Sequence, residues 1–265
     1  MSAQRGEKLA ALLNSWPPGA VYCVSALRER GYDYSLIHHY RQAGLLAAIG
    51  PGALARPGDK IELSGGVYAL QTQMGLKVHI AGIAALALRG SLPDGLRRNH
   101  STHLYGKVDQ KLPAWFLKHN WGTPIRYFAS KLFENDFETG IEEYNAEAFF
   151  IKISAPERAI LELLNLVPIE ETFEQARLLL SGLTTLRPQL VHKLLLICNC
   201  TKARKLFMAL SEELSLPWVK KADFASIGIG KAKHYLFKRG RVHKRYKITL
   251  PAKCFRKTCA NEKLY

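Results

Sequence analysis

Acidic residues are scarce in this chain and vanish toward its end. The count is 22 Asp and Glu against 38 Lys and Arg, and none falls between Phe224 and Asn261. The resulting formal net charge of +16 and pI near 9.7 point to a polyanionic partner, nucleic acid or an acidic protein surface, and say nothing about fold. Long apolar runs are lacking too. The most apolar segments, Ile80 to Leu88 and Leu190 to Cys198, are too short to span a bilayer, and His192 and Lys193 interrupt the second, so no membrane partner is expected. The start does not read as a signal peptide, because Arg5, Glu7 and Lys8 precede any apolar run. The five cysteines, Cys23, Cys198, Cys200, Cys254 and Cys259, are odd in number and irregularly placed, which excludes a disulfide framework and implies reduced thiols in a cytoplasm.

Site chemistry is equally sparse. His100 and His103 do not combine with Cys198 and Cys200 in a zinc-like spacing, and Cys254 with Cys259 has no second pair, so neither metal nor cofactor is expected. The dense acidic cluster, Glu134, Asp136, Glu138, Glu142 and Glu143, lies among turn residues without a paired His or Ser. No enzyme follows from it; a nucleic-acid enzyme would require Asp136 and Glu138 in a deep cleft with a divalent metal. Gly228, Gly230 and Lys231 in SIGIGKAKH miss the phosphate-loop pattern, because Ala232 follows the lysine, and a turn before a strand is expected there. Internal repeats and low-complexity tracts are absent.

With 265 residues and 48% hydrophobic content, the chain suffices for one large packed domain or two ordinary ones. The most informative stretch is Gly31 to Gly44, GYDYSLIHHYRQAG. Asp33 is placed to cap a helix and Gly44 to end it in the left-handed conformation. Leu36, Ile37 and Tyr40 gather on one side, while Ser35, His38, His39 and Gln42 gather opposite, flanked by Arg41. These side chains can donate to phosphates or base edges in a major groove. Upstream, Leu9, Leu12, Leu13 and Trp16 predict a helix over 4–14, stopped by Pro17, Pro18 and Gly19, and a short helix over 25–30 stops at Gly31. Downstream, the Gly/Pro-rich GPGALARPGDK leads into Ile61, Leu63, Val67, Tyr68 and Leu70, which predict an extended strand and hence a hairpin wing. Tyr34, Arg56 and Lys60 are the expected contacts to the DNA backbone.

The order helix, helix, helix, wing predicts a winged helix-turn-helix over 1–73, followed by a larger mixed α+β domain over 74–265, for an α+β protein overall. In the second part His79 to Leu88 reads as a helix stopped by Gly90. Segments 103–106, 124–129 and 148–153 read as a small mixed sheet. Ser154 and Glu157 predict a capping box with Pro156 in the first turn, and helices are expected over 173–180, 190–197 and 203–214. A basic surface follows in Lys231, Lys233, Lys238, Arg239, Arg241, Lys244, Arg245 and Lys247. The interleaved Tyr235, Phe237 and Tyr246 are expected to pack inward rather than stack on bases.

These segments, in this order, resemble the AbiEi-type antitoxins of bacterial type IV toxin-antitoxin systems over nearly the whole chain. The likeness rests on Gly31-Tyr32, Leu36, Tyr40 and Gly44-Leu45, on IGPGALARPGD and VYALQ, and on VHIAGIAALALRG and LPAWF. Beyond these it rests on SAPERAILELL, CNCTKARKLF, GIGKAK and YKITLP. The resemblance implies a cytoplasmic protein that binds double-stranded DNA at repeats in its own promoter, represses its operon and counteracts a co-encoded nucleotidyltransferase-like toxin. Two positions depart from the pattern, Pro51 where the wing would carry a basic residue and Leu46 where a Trp would precede it. The alternative is a winged-helix transcription factor whose larger domain senses a ligand.

Overall fold

The computed structural model describes residues 2–92, 101–238 and 240–251. The described residues form two compact units: 2–84, 101–131 and 141–154 fall in the first, and 85–92, 132–140, 155–238 and 240–251 in the second. The first unit runs past Gln73, the position after which a second domain is expected, and includes the sheet that follows it as well as the helices that precede it.

The first unit opens with α1 (Ser2–Ser15), β1 (Tyr22–Cys23), α2 (Val24–Glu29) and α3 (Tyr34–Gln42), then β2 (Ala47–Gly50) and β3 (Ala53–Ala55). Strand β3 pairs antiparallel with both β1 and β2, so a three-stranded sheet in the order β1-β3-β2 closes the helical trio. The β2–β3 hairpin is the wing, and it turns at Pro51 and Gly52, with Gly52 at φ +85°. Leu12, Trp16, Leu27, Leu36, Ile37 and Tyr40 are buried in its core. The indole N–H of Trp16 donates to the Ala20 carbonyl at 2.7 Å, and the Tyr40 hydroxyl to the Arg5 carbonyl at 2.6 Å, so neither ring is buried with an unsatisfied donor.

The expected strand over 61–70 does not form. That stretch is α4 (Leu63–Tyr68) running into a π-helical turn (Ala69–Gln73), and the wing is the earlier β2–β3 hairpin, whose turn and second strand fall in the Gly/Pro-rich segment. Gly65 and Gly66 sit in the middle of α4, where glycine is unfavourable. Their reason is close approach: a Cβ on Gly65 would collide with the Gly19 carbonyl, and one on Gly66 with the Trp121 ring.

Next come β4 (Val78–Ala81) and α5 (Gly82–Leu88); the expected helix from His79 therefore begins three residues later, and residues 79–81 are central strand. With β5 (Thr102–Gly106), α6 (Ala114–Lys118), β6 (Ile125–Ala129), β7 (Ile141–Asn145) and β8 (Phe150–Ser154), they build a five-stranded sheet in the order β6-β5-β4-β8-β7. The sheet is mixed: β4 is antiparallel to β5 and parallel to β8, β5 is parallel to β6, and β7 is antiparallel to β8. Strand β7 went unread because Glu142 and Glu143 break its apolar alternation, as suits an edge strand.

The second unit packs α7 (Pro156–Leu166) against α8 (Phe173–Gly182), α9 (Pro188–Ile197) and α10 (Thr201–Glu213), with a 3₁₀ turn (Pro217–Lys221) and a terminal hairpin of β9 (Gly240–His243) and β10 (Ile248–Pro251). Pro156 opens α7, but the capping box is absent: Ala155 occupies the N-cap, and the Glu157 carboxylate turns away to accept from Arg187 Nη2 at 2.9 Å and the Arg187 backbone N–H at 2.8 Å. Arg158, also buried, donates to Glu162 at 2.8 Å and to the carbonyls of Phe137 and Thr139 at 2.6 and 2.7 Å, with its guanidinium 4.6 Å from the Phe133 ring centre. The charges of SAPERAILELL are therefore structural, each partnered as burial requires.

Candidate nucleic-acid interface

Helix α3 owes its position to its two ends and its two faces. The Asp33 carboxylate accepts from the Leu36 N–H at 2.7 Å, filling one of the donors left open by the first turn. At the other end Gly44 takes φ +68°, and its N–H donates to the Arg41 carbonyl at 3.0 Å while the Leu45 N–H donates to the Tyr40 carbonyl at 2.9 Å. Leu36, Ile37 and Tyr40 are buried, whereas Tyr34, Ser35, His38, His39, Arg41 and Gln42 are exposed. The structure thus brings together on one helix six of the eight side chains that the sequence singled out in this region. Only a 3.4 Å approach between Gln42 Nε2 and His38 Nε2 joins members of the outward stripe.

Arg56 and Lys60 are placed differently. Arg56 Nη1 donates to the Trp16 carbonyl at 2.9 Å, and its Nε lies 3.9 Å from Asp59, so the guanidinium faces α1 rather than the wing tip. Lys60 is exposed and pairs with Glu62 at 2.6 Å. The tip itself, Pro51 and Gly52, carries no cation.

One contributor escaped the sequence reading. Arg28 of α2 lies with its guanidinium carbon 4.4 Å from the Tyr34 ring centre and donates to the Tyr34 hydroxyl at 3.4 Å. The pair holds Tyr34, 62% exposed, upright at the start of α3. Two short helices meeting at Gly31 were the available signal, since such a turn folds the end of α2 over the start of α3. Beside this pair lies a cleft of about 860 Å³, lined among others by Arg28, Ser35, His38, Arg41, Cys23 and Trp115. Burial pushes the Cys23 thiol up to about 11, so it stays neutral.

In the second unit the basic residues of the stretch 231–247 are described except Arg239, which lies outside the described residues, as do His100, Cys254 and Cys259. Lys231, Lys233, Lys238, Arg241, Lys244, Arg245 and Lys247 are all exposed. Arg245 is engaged by Glu212 at 2.6 Å, and the same carboxylate accepts from the buried Tyr246 hydroxyl at 2.5 Å. Burial, and then that carboxylate, raise the Tyr246 phenol well above its ordinary value. Phe237 packs edge-on against Phe173 at 5.2 Å, while Tyr235 stays exposed, so two of the three aromatics pack inward.

Of the acidic cluster, Glu134, Asp136 and Glu138 lie in the turn segment 132–140, whereas Glu142 and Glu143 lie on β7. Asp136 accepts from the Thr139 hydroxyl and N–H at 2.5 and 3.1 Å and meets Lys193 at 3.4 Å; the Thr139 hydroxyl is the main cause that lowers its carboxyl below the usual range. Among the described residues no group of three or more His, Cys, Asp or Glu is arranged to hold a metal, and no helix is long and apolar enough to cross a membrane.

Comparison with known proteins finds two family matches along the chain. Residues 5–92 match the family described as "Transcriptional regulator, AbiEi antitoxin N-terminal domain", and residues 99–251 match "Transcriptional regulator, AbiEi antitoxin, Type IV TA system". No curated protein matches the chain significantly. Among solved structures, the RV2827C protein from Mycobacterium tuberculosis is similar in fold, with a TM-score of 0.58 at 14% identity over 91% of this chain and 88% of that one.

Proposed function

The chain belongs to the AbiEi antitoxin family of type IV toxin-antitoxin transcriptional regulators, and from that premise we propose that it represses its own operon by reading promoter DNA and separately counteracts a co-encoded nucleotidyltransferase-like toxin. The observation that carries the DNA half is the outward face of α3. A helix capped at both ends and anchored by three buried side chains projects Ser35, His38, His39, Arg41 and Gln42 with their donors exposed, as a helix lying in a major groove requires. Tyr34 and Arg28 stand where α2 and α3 meet and would engage the adjoining phosphates, a role for which the outward approach of Lys60 also qualifies, while Arg56 would first have to leave Trp16.

Residues 1–73 carry the operator-reading role in this proposal, and residues 74–265 carry the antitoxin role with the basic hairpin as a second polyanion surface. Winged helices act commonly in pairs, so the operator is a repeat whose half-sites lie about one helical turn, roughly 34 Å, or a multiple of it apart. The protein acts in the cytoplasm, where its DNA and its toxin are found.

The test is a strain lacking the native operon, carrying a reporter fused to this promoter and an inducible copy of the neighbouring toxin gene. Expression of the chain should lower reporter output and restore growth. A chain that is folded and abundant yet changes neither readout ends the proposal.

A further inference from the structure

Helix α10 begins in an electrostatically inverted way. The positive end of a helix dipole favours carboxylates, yet the first turn of α10 contains no acid, and its sequence opens Thr201, Lys202, Ala203, Arg204, Lys205. Cys200 at the N-cap contributes no side-chain hydrogen bond. The cations there are only partly engaged. Lys205 is fully buried, and its ammonium, with three donors, is bonded to the Ala232 carbonyl. Arg204 Nη2 donates to Thr201 Oγ1 at 3.2 Å, but its buried Nε has no partner among the described residues, and neither has the buried Nε2 of His234. Lys202 Nζ donates to the carbonyls of Asn165 and Val167, at 2.7 and 2.6 Å, at the end of α7.

These groups act on one another without a carboxylate between them. Burial first, and then Lys247 and Arg204, lower Lys205; burial first, and then Lys205 and Lys202, lower His234. The rim opens to solvent at Gly230, Lys231 and Lys247. Gly230 lies over Thr201, near enough that a side chain there would meet Thr201 Cγ2 at 3.8 Å, which sets the Gly-Ile-Gly-Lys segment beside the helix start.

We propose that this corner of the second unit, formed by Lys202, Arg204, Lys205, His234 and Lys247 around the start of α10, binds a phosphoryl or pyrophosphoryl group. A multiply charged tetrahedral anion would satisfy the open donors from several directions and neutralise the mutual repulsion, which a singly charged carboxylate does less well. The site is independent of the α3 face and stands or falls without it.

The experiment titrates the full chain with inorganic pyrophosphate by calorimetry at fixed ionic strength, and then repeats the titration in the presence of a single-stranded oligonucleotide lacking terminal phosphates. Saturable binding at one site is expected, and Lys205→Met should weaken it by at least about tenfold, the loss of one charge-assisted contact. Lys247→Gln, on the exposed rim and harmless to the core, should weaken it in the same direction, while Lys220→Gln should bind as the wild type. Competition by the oligonucleotide would assign the phosphoryl group to a nucleic-acid strand, and its absence to a small phosphate. Heats no larger than those of chloride at equal ionic strength, or binding unchanged in Lys247→Gln and in a folded Lys205→Met, would overturn the proposal.

Discussion

Replacing Arg41 and Gln42 together by Ala separates the two proposed roles, because both side chains are exposed at the C-terminal end of α3 while the residues that anchor the helix, Leu36, Ile37 and Tyr40, are left untouched. Neither side chain bonds to the rest of the fold except through the 3.4 Å approach of Gln42 to His38, so stability should change by no more than about 0.5 kcal/mol, the usual range for surface substitutions. The effect on recognition is larger. Loss of one base-edge contact costs about 1–3 kcal/mol, or roughly 5- to 150-fold in discrimination, and two neighbouring contacts add only approximately. Fluorescence anisotropy on the promoter duplex and on a scrambled duplex, at one salt concentration, reads this as a fall in the affinity ratio. Denaturant unfolding checks the fold. Growth rescue from the toxin, scored beside promoter output at matched protein levels, should persist. If the folded variant lost rescue in step with repression, neutralisation would act through the operator, and its assignment to residues 74–265 would be wrong. If operator affinity were unchanged, Arg41 and Gln42 would not face the bases.

Other perturbations test the framework that holds these sites. Asp33→Ala removes the cap on Leu36 N–H and should lower unfolding free energy by about 1 kcal/mol, seen as an earlier denaturant midpoint. Gly65→Ala drives a Cβ into the Gly19 carbonyl and should destabilise the first unit far more than Gly31→Ala, where no atom lies within 4 Å and only the positive φ resists; equal melting temperatures would refute the close-approach argument. Burial alone would raise the Glu157 carboxyl, but the hydrogen bonds from Arg187 outweigh it and the group titrates below its ordinary value. A depressed carboxyl contributes stability that is complete above its unfolded pKa of about 4.3 and is lost as pH falls through the folded value. Wild type should therefore lose stability on acidification below about pH 4.3 more steeply than Glu157→Gln, and parallel pH profiles would contradict the pairing.

Residue patterns revealed the helical trio because its signals are local. Asp33 and Gly44 mark the two ends of α3, and a 3.6-residue stripe separates its faces, so the chain needs no distant partner to declare them. Local signals were also enough for α8, α9 and α10. Where tertiary contacts decide, the reading failed. The pair Gly65-Gly66 is unfavourable in an isolated helix and is there because Gly19 and Trp121 leave no room for a side chain. His79, Ile80 and Ala81 have no strand signature against the helix that follows them, and they become strand by pairing with β5 and β8. Ser154 and Glu157 have the spacing of a capping box, but Arg187, thirty residues on, draws the carboxylate away. The same limit applies to Arg28, whose stacking on Tyr34 depends on how α2 meets α3, and to Arg56, whose carbonyl partner at Trp16 is forty residues earlier.

The central claim, that the exposed face of α3 reads this protein's own promoter, is tested most directly by a nuclease footprint of the full chain on the DNA upstream of its gene, beside an unrelated duplex at the same salt. The account predicts protection confined to repeated segments spaced by about one helical turn or a multiple of it, at concentrations that leave the unrelated duplex uncovered. Equal protection of both duplexes, or none on either, would contradict it.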